Sequence, residues 1–173
     1  MIVVSEKSLG KRRTRIQKIL EPLLPKRPEV SMVSNTSGAT FQLGRSARSL
    51  RDGRIRTRTP SVALNYFEVW IAASLKGDVT LEKWYLHLDA EEISGYSEIL
   101  ALHCDPNIDK NDASYMYKKG PHVHPSGWNS NFTNSHIAVF LDRVEAVCQS
   151  DVALDEALSV AIRMIDDEFL PKC

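Results

Sequence analysis

Residues 66–75, YFEVWIAASL, place Phe67, Val69, Ile71, Ala73 and Leu75 at alternate positions. Side chains of an extended chain alternate between two faces, so this period of two predicts a strand. Runs of similar character follow at 83–89 (KWYLHLD), 95–105 (GYSEILALHCD), 113–119 (ASYMYKK) and 135–142 (SHIAVFLD). Turn residues such as Lys76-Gly77-Asp78 separate them. Connections this short exclude parallel crossovers, and the spacing predicts an antiparallel meander of about five strands.

On the C-terminal side, residues 150–170 change period. Val152, Leu154, Ala157, Leu158, Ala161, Ile162 and Ile165 recur at helical spacing, and Ser150 or Asp151 is suited to cap the start. On the N-terminal side, residues 5–21 predict a short helix with Lys11, Arg12, Arg13, Arg15 and Lys18, stopped by Pro22. A strand at 30–34 and the turn residues SNTSGAT come next, followed by the arginine-rich stretch RSARSLRDGRIRTRTP. The fold class is therefore α+β: a mostly antiparallel sheet, a basic N-terminal helix and a packed C-terminal helix. Residues 1–60 form the helix and arm, and residues 61–173 the sheet and closing helix. At 173 residues the two parts suit one compact domain.

The formal net charge is zero, yet the two parts differ sharply. Residues 1–60 hold fourteen Lys or Arg against four Asp or Glu, and the remainder holds eight against eighteen. Such asymmetry is a partner signal. In RIRTRT an extended backbone puts Arg54, Arg56 and Arg58 on one face, spaced for phosphate oxygens. With Arg45, Arg48, Arg51, Arg12 and Arg13 they form a candidate nucleic-acid interface, sequence-tolerant because no base-reading motif accompanies it. The same charge separation fits contact between the basic N-terminal region and an acidic helix, within the chain or between copies. No apolar stretch reaches membrane-spanning length, and three cysteines without a C-x-x-C pair suit reduced thiols. The expected location is the cytoplasm, with no membrane partner.

Three of the five histidines lie between residues 114 and 140: His122 and His124 in a Pro-bounded H-x-H, and His136 in an apolar run. If strands 115–124 and 133–140 pair so that His122 faces His136, or His124 faces Asn134, the three rings share one face. A register offset by one residue sends His136 to the other face. Converged, the rings suit a divalent metal such as zinc. Alternatively, they suit acid–base cleavage of a phosphodiester, with Lys119 or Lys118 stabilising the developing charge. The structural alternative leaves His122 and His124 in an exposed loop and His136 on a half-buried strand. His87 and His103 read as packed or edge residues. Asp105 and Asp109 read as a polar turn, without the glycine and distal glutamate of a calcium loop.

The order of strand, Pro-His-x-His, His-bearing strand and closing helix resembles small bacterial toxin-type proteins in element order alone. The arm and the charge separation favour a non-catalytic, nucleic-acid-associated subunit or adaptor of a larger intracellular assembly. The alternative is a small nuclease or toxin-like enzyme using His122, His124 and His136.

Overall fold

In the computed structural model, which describes residues 1–44, 53–73, 77–125 and 136–170, two long strands form the spine. They are β5 (Val62–Ala72) and β6 (Asp78–Glu92), antiparallel, with Phe67 opposite Tyr85. The far edge of β5 carries β3 (Gly38–Leu43) and, further along, β4 (Ile55–Arg56). The far edge of β6 carries β1 (Val3–Ser5) and then β7 (Gly95–Cys104). Outside these lie β2 (Val30–Asn35) on β3, then β8 (His122–Pro125) on β7 and β9 (Ile137–Ala138) on β8.

The α+β reading holds, with nine strands among the described residues rather than about five. One expected strand is replaced. Residues 113–119 fold back because Asp112 Oδ1 accepts the Ser114 amide at 2.7 Å and Asp112 O accepts the Tyr115 amide at 2.9 Å. These local bonds start the single helical turn α2 (Tyr115–Lys118), so the fourth strand of the meander begins only at His122.

Two longer helices cover one face of the sheet. α1 (Arg12–Leu20) buries Ile16, Ile19 and Leu20, and ends before Pro22 as its sequence predicts. After the short α3 (Val144–Val147), α4 (Asp151–Glu168) starts at Ser150, whose hydroxyl accepts the Ala153 amide at 3.1 Å. Its buried Leu154, Leu158, Ala161, Ile162 and Ile165 join Leu64, Tyr66, Trp84, Leu86, Leu88 and Leu102 in one apolar cluster. Each fully buried Leu or Ile contributes about 1.5–3 kcal/mol.

Charge is also buried on this face. Glu68 is fully enclosed, and its carboxylate accepts from Arg12 Nε and Nη2 (both 2.8 Å), Tyr66 OH (2.7 Å) and Trp70 Nε1 (2.8 Å). Arg12 also pairs with Asp155, and Arg15 with Asp151 and Asp155. The basic N-terminal region thus meets the acidic C-terminal helix within the chain.

Candidate metal centre

The opposite face of the sheet carries the histidines. Residues paired across antiparallel strands share a face, and the registers run in two parallel rows. The first is Phe67, Tyr85, His103, His122, Ala138. The second is Asn65, His87, Ala101, His124, and one further step along the β8–β9 register reaches His136. All five histidines of the chain therefore lie on one face. Ala101 sits between His87 and His124, and its small side chain leaves the rings room to turn toward His103.

His122, His124 and His136 converge, with ring centroids 4.9, 5.3 and 4.2 Å apart. The register differs by two residues from the pairing expected, since His122 faces Ala138 rather than His136. A shift of two preserves the face. The sequence reading missed two members. His103 lies 4.6 Å from His124 and 5.8 Å from His122 between centroids, and His87 lies 5.0 Å from His103. Ligand-capable nitrogens of His103, His122 and His124 all fall within 4.8 Å of one another.

Local packing fixes how these rings present their nitrogens. His122 is fully buried, and its Nδ1–H donates to Gly120 O at 2.9 Å. A Cβ at Gly120 would stand 2.7 Å from Val144 Cγ2, so the absence of a side chain lets this carbonyl sit where it does. His122 Nε2 and His124 Nε2 are buried with no hydrogen-bond partner among the described residues. Desolvation pushes His103 down to about 3, with further repulsion from His124 and His87. It likewise pushes His122 and His124 down to about 4. All three are neutral at physiological pH, which suits metal ligands and makes them weak general bases there.

Lys119 does not reach the rings as an electrophile. Its ammonium is held by Glu145 Oε2 at 2.6 Å and Tyr115 OH at 2.5 Å. Burial alone would lower its pKa, but these bonds outweigh it and raise the value. Lys118 instead lines a cleft of about 450 Å³ with His136, Ser114 and Tyr117. At the other end of the histidine row, His87 and Glu98 share a cleft of about 520 Å³ with Arg54, Phe67, Tyr85 and Tyr96.

The arginine face alternates as read, with Thr57 and Thr59 buried and Arg56 and Arg58 exposed. Its guanidinium groups are engaged within the chain. Arg54 pairs with Asp89 at 2.6 Å, Arg56 pairs with Glu91 at 3.0 Å, and Arg58 Nε donates to Leu24 O at 2.8 Å. Arg12, counted as a surface contact from sequence, is buried in the Glu68 network, because its stem lies on the apolar side of α1. Arg13 is exposed. Arg45, Arg48 and Arg51 lie outside the described residues. Comparison with protein-family models, curated proteins and solved structures finds no match to this chain.

Proposed function

We propose that this chain is a metalloprotein of the hydrolytic class, in which His103, His122 and His124 hold a zinc-type divalent ion. The observation that carries this reading is the orphaned pair of imidazole nitrogens, His122 Nε2 and His124 Nε2. A buried polar atom without a partner costs about 1–3 kcal/mol, and a metal ion removes that cost at both rings. Nitrogens bound tetrahedrally to zinc stand about 3.3–3.4 Å apart, as bond lengths of about 2.0–2.1 Å require. Binding an ion would draw together the three nitrogens, which lie within 4.8 Å of one another, to that spacing. Three neutral histidines leave one position for water or substrate, and such an ion supplies a Lewis acid and an activated water.

Two features support hydrolysis over a purely structural ion. The ligands lie on the sheet face away from α1 and α4, and clefts open at both ends of the row. Phosphodiesters remain the substrate class the sequence suggests. The nucleic-acid subunit reading draws less support, since Arg54, Arg56 and Arg58 are engaged within the chain. Elemental analysis of the purified protein should find about one equivalent of zinc or a similar metal, lost in His122→Ala. Bis(p-nitrophenyl) phosphate and p-nitrophenyl acetate then test hydrolysis with and without chelator. Protein that takes up no metal when zinc is supplied would end the proposal.

A further inference from the structure

The neighbours of His103 decide which of its two ring nitrogens carries the proton and which the lone pair. His87 Nδ1 lies 2.5 Å from Glu98 Oε2. A carboxylate only accepts, so the proton of a neutral His87 sits on Nδ1 and its Nε2 is an acceptor. That Nε2 lies 3.4 Å from His103 Nε2. Two ring nitrogens in contact need one donor between them, so His103 carries its proton on Nε2. Its lone pair is then on Nδ1.

From this, and resting on the metal reading above, we infer that Glu98 and His87 are positioning residues of the centre: a carboxylate–imidazole relay that locks His103 as the Nε2–H tautomer and presents Nδ1 to the ion. The same logic at His122, where Gly120 O takes the Nδ1 proton, assigns Nε2 as its ligand atom. The orphaned nitrogen of His124 is also Nε2. The centre therefore mixes one Nδ1 ligand with two Nε2 ligands, each of the first two fixed by a backbone or carboxylate acceptor behind it. The relay is built across strands. Glu98 and His103 both come from β7 on either side of an irregularity in the β6–β7 register, and His87 reaches between them from β6. Its outer end opens into the cleft of about 520 Å³, so the acceptor end of the relay meets solvent while His103 packs against the face of Tyr85.

In ¹⁵N-histidine-labelled full-length protein, long-range proton–nitrogen spectra of the metal-free form should report His103 as Nε2–H and His122 as Nδ1–H. On loading with ¹¹³Cd²⁺, scalar coupling should appear at His103 Nδ1, His122 Nε2 and His124 Nε2. Glu98→Ala and His87→Ala should each lower zinc affinity by about 10–100-fold in a chelator competition, the usual cost of losing such a partner. Glu98→Gln, which keeps an acceptor for His87 Nδ1–H, should recover most of it. Thermal melts of the metal-free variants separate this from a folding defect, because a merely structural role would shift the melt and leave the tautomer signals alone. Cadmium coupling to His103 Nε2, or wild-type zinc affinity in Glu98→Ala, would overturn the relay and leave the metal centre intact. A wild-type protein that binds neither zinc nor cadmium would take down both.

Discussion

The two faces of the sheet both bury polar side chains, and they do it in opposite ways. Beneath the helices, Glu68 has four donors for its carboxylate, and Arg12 is shared between Glu68 and Asp155. On the other face, His122 and His124 each keep a buried nitrogen without a partner. A network that closes on itself fixes the position of α1 and α4 and needs nothing from outside. A set of converging lone pairs that does not close is stable only at a cost, and an added cation removes that cost. Burial of polar atoms alone therefore does not mark a site. Two unmet acceptor nitrogens side by side do, whereas the lone unpartnered donor of the helix face among the described residues, Trp84 Nε1, offers a cation nothing.

Acid should break the two faces at different points, and this is the largest effect expected. His103, His122 and His124 have folded pKa values near 3, 4 and 4, below the usual 6.5 or so of an unfolded chain. Below pH 6.5 the unfolded state binds more protons, so stability of the metal-free protein falls as pH drops from about 6.5 to 4 for His122 and His124, and on to about 3 for His103. Each ring adds a slope of up to about 1.4 kcal/mol per pH unit, reduced where water screens its edge. Circular dichroism during acid titration should show a lower unfolding midpoint pH for the His122→Gln, His124→Gln double variant. An unchanged midpoint would mean that the histidine face does not set acid stability.

Substitution on the helix face should come next in size. Glu68→Ala leaves the Arg12 guanidinium buried against Asp155 alone, and breaking a buried pair this way costs about 3–5 kcal/mol. His122→Ala in the metal-free protein should cost far less, because it removes an unsatisfied nitrogen along with its packing. Urea melts at pH 7.5 compare the two directly. If His122→Ala is as damaging as Glu68→Ala, the histidine face is a satisfied core and the contrast fails.

Metal should stabilise one face only. With zinc at 100 times its dissociation constant, mass action adds about 2.7 kcal/mol to the wild type. The same addition should restore nothing to His124→Ala, and in Glu68→Ala it should add the full increment to a lowered baseline. A zinc-induced rise in Tm that survives His124→Ala would move the ion elsewhere on the molecule.

Much of the helix face was legible in the sequence. The spacing of Leu154, Leu158, Ile162 and Ile165 predicted α4, whereas alternation in 66–75 predicted the strand β5 but not its buried side: Tyr66, Glu68 and Trp70 face the helices, while Phe67 lies on the histidine face and Ile71 is exposed. Convergence of His122, His124 and His136 was legible as a condition on register, because H-x-H fixes a shared face wherever it is extended. His103 was not, and the reason is one residue. From the turn, Glu92 pairs with Gly95 and Asp89 with Glu98, but beyond it Leu88 pairs with Leu100, so Ile99 is extra. Without that bulge His87 would face Leu100, and His103 would lie on the opposite face. Period-two reasoning carries no signal for an inserted residue. Likewise Asp112 turns residues 113–119 into α2 through its side chain, which a count of alternating aromatics does not register.

The smallest effect tests the residue that sequence placed in the chemistry. Lys119 and Lys118 are adjacent, and the fold sends them to different neighbours. Lys119 Nζ is bound by Glu145 and Tyr115, while Lys118 borders the cleft beside His136. The Glu145 carboxylate is largely exposed, with 61% of its side-chain surface open, so the pair is worth less than about 1 kcal/mol. Lys119→Met keeps the buried stem and removes only the charge. It should lower stability by a few tenths of a kcal/mol to about 1 kcal/mol and leave zinc affinity within about twofold of wild type. Lys118→Met, by contrast, removes a cation from the cleft at the His136 end. If the centre hydrolyses a phosphodiester, that change should raise KM for bis(p-nitrophenyl) phosphate while leaving bound zinc unchanged. A loss of turnover confined to Lys119→Met, with fold and metal content intact, would return Lys119 to the site and require the Glu145 pair to open when substrate arrives.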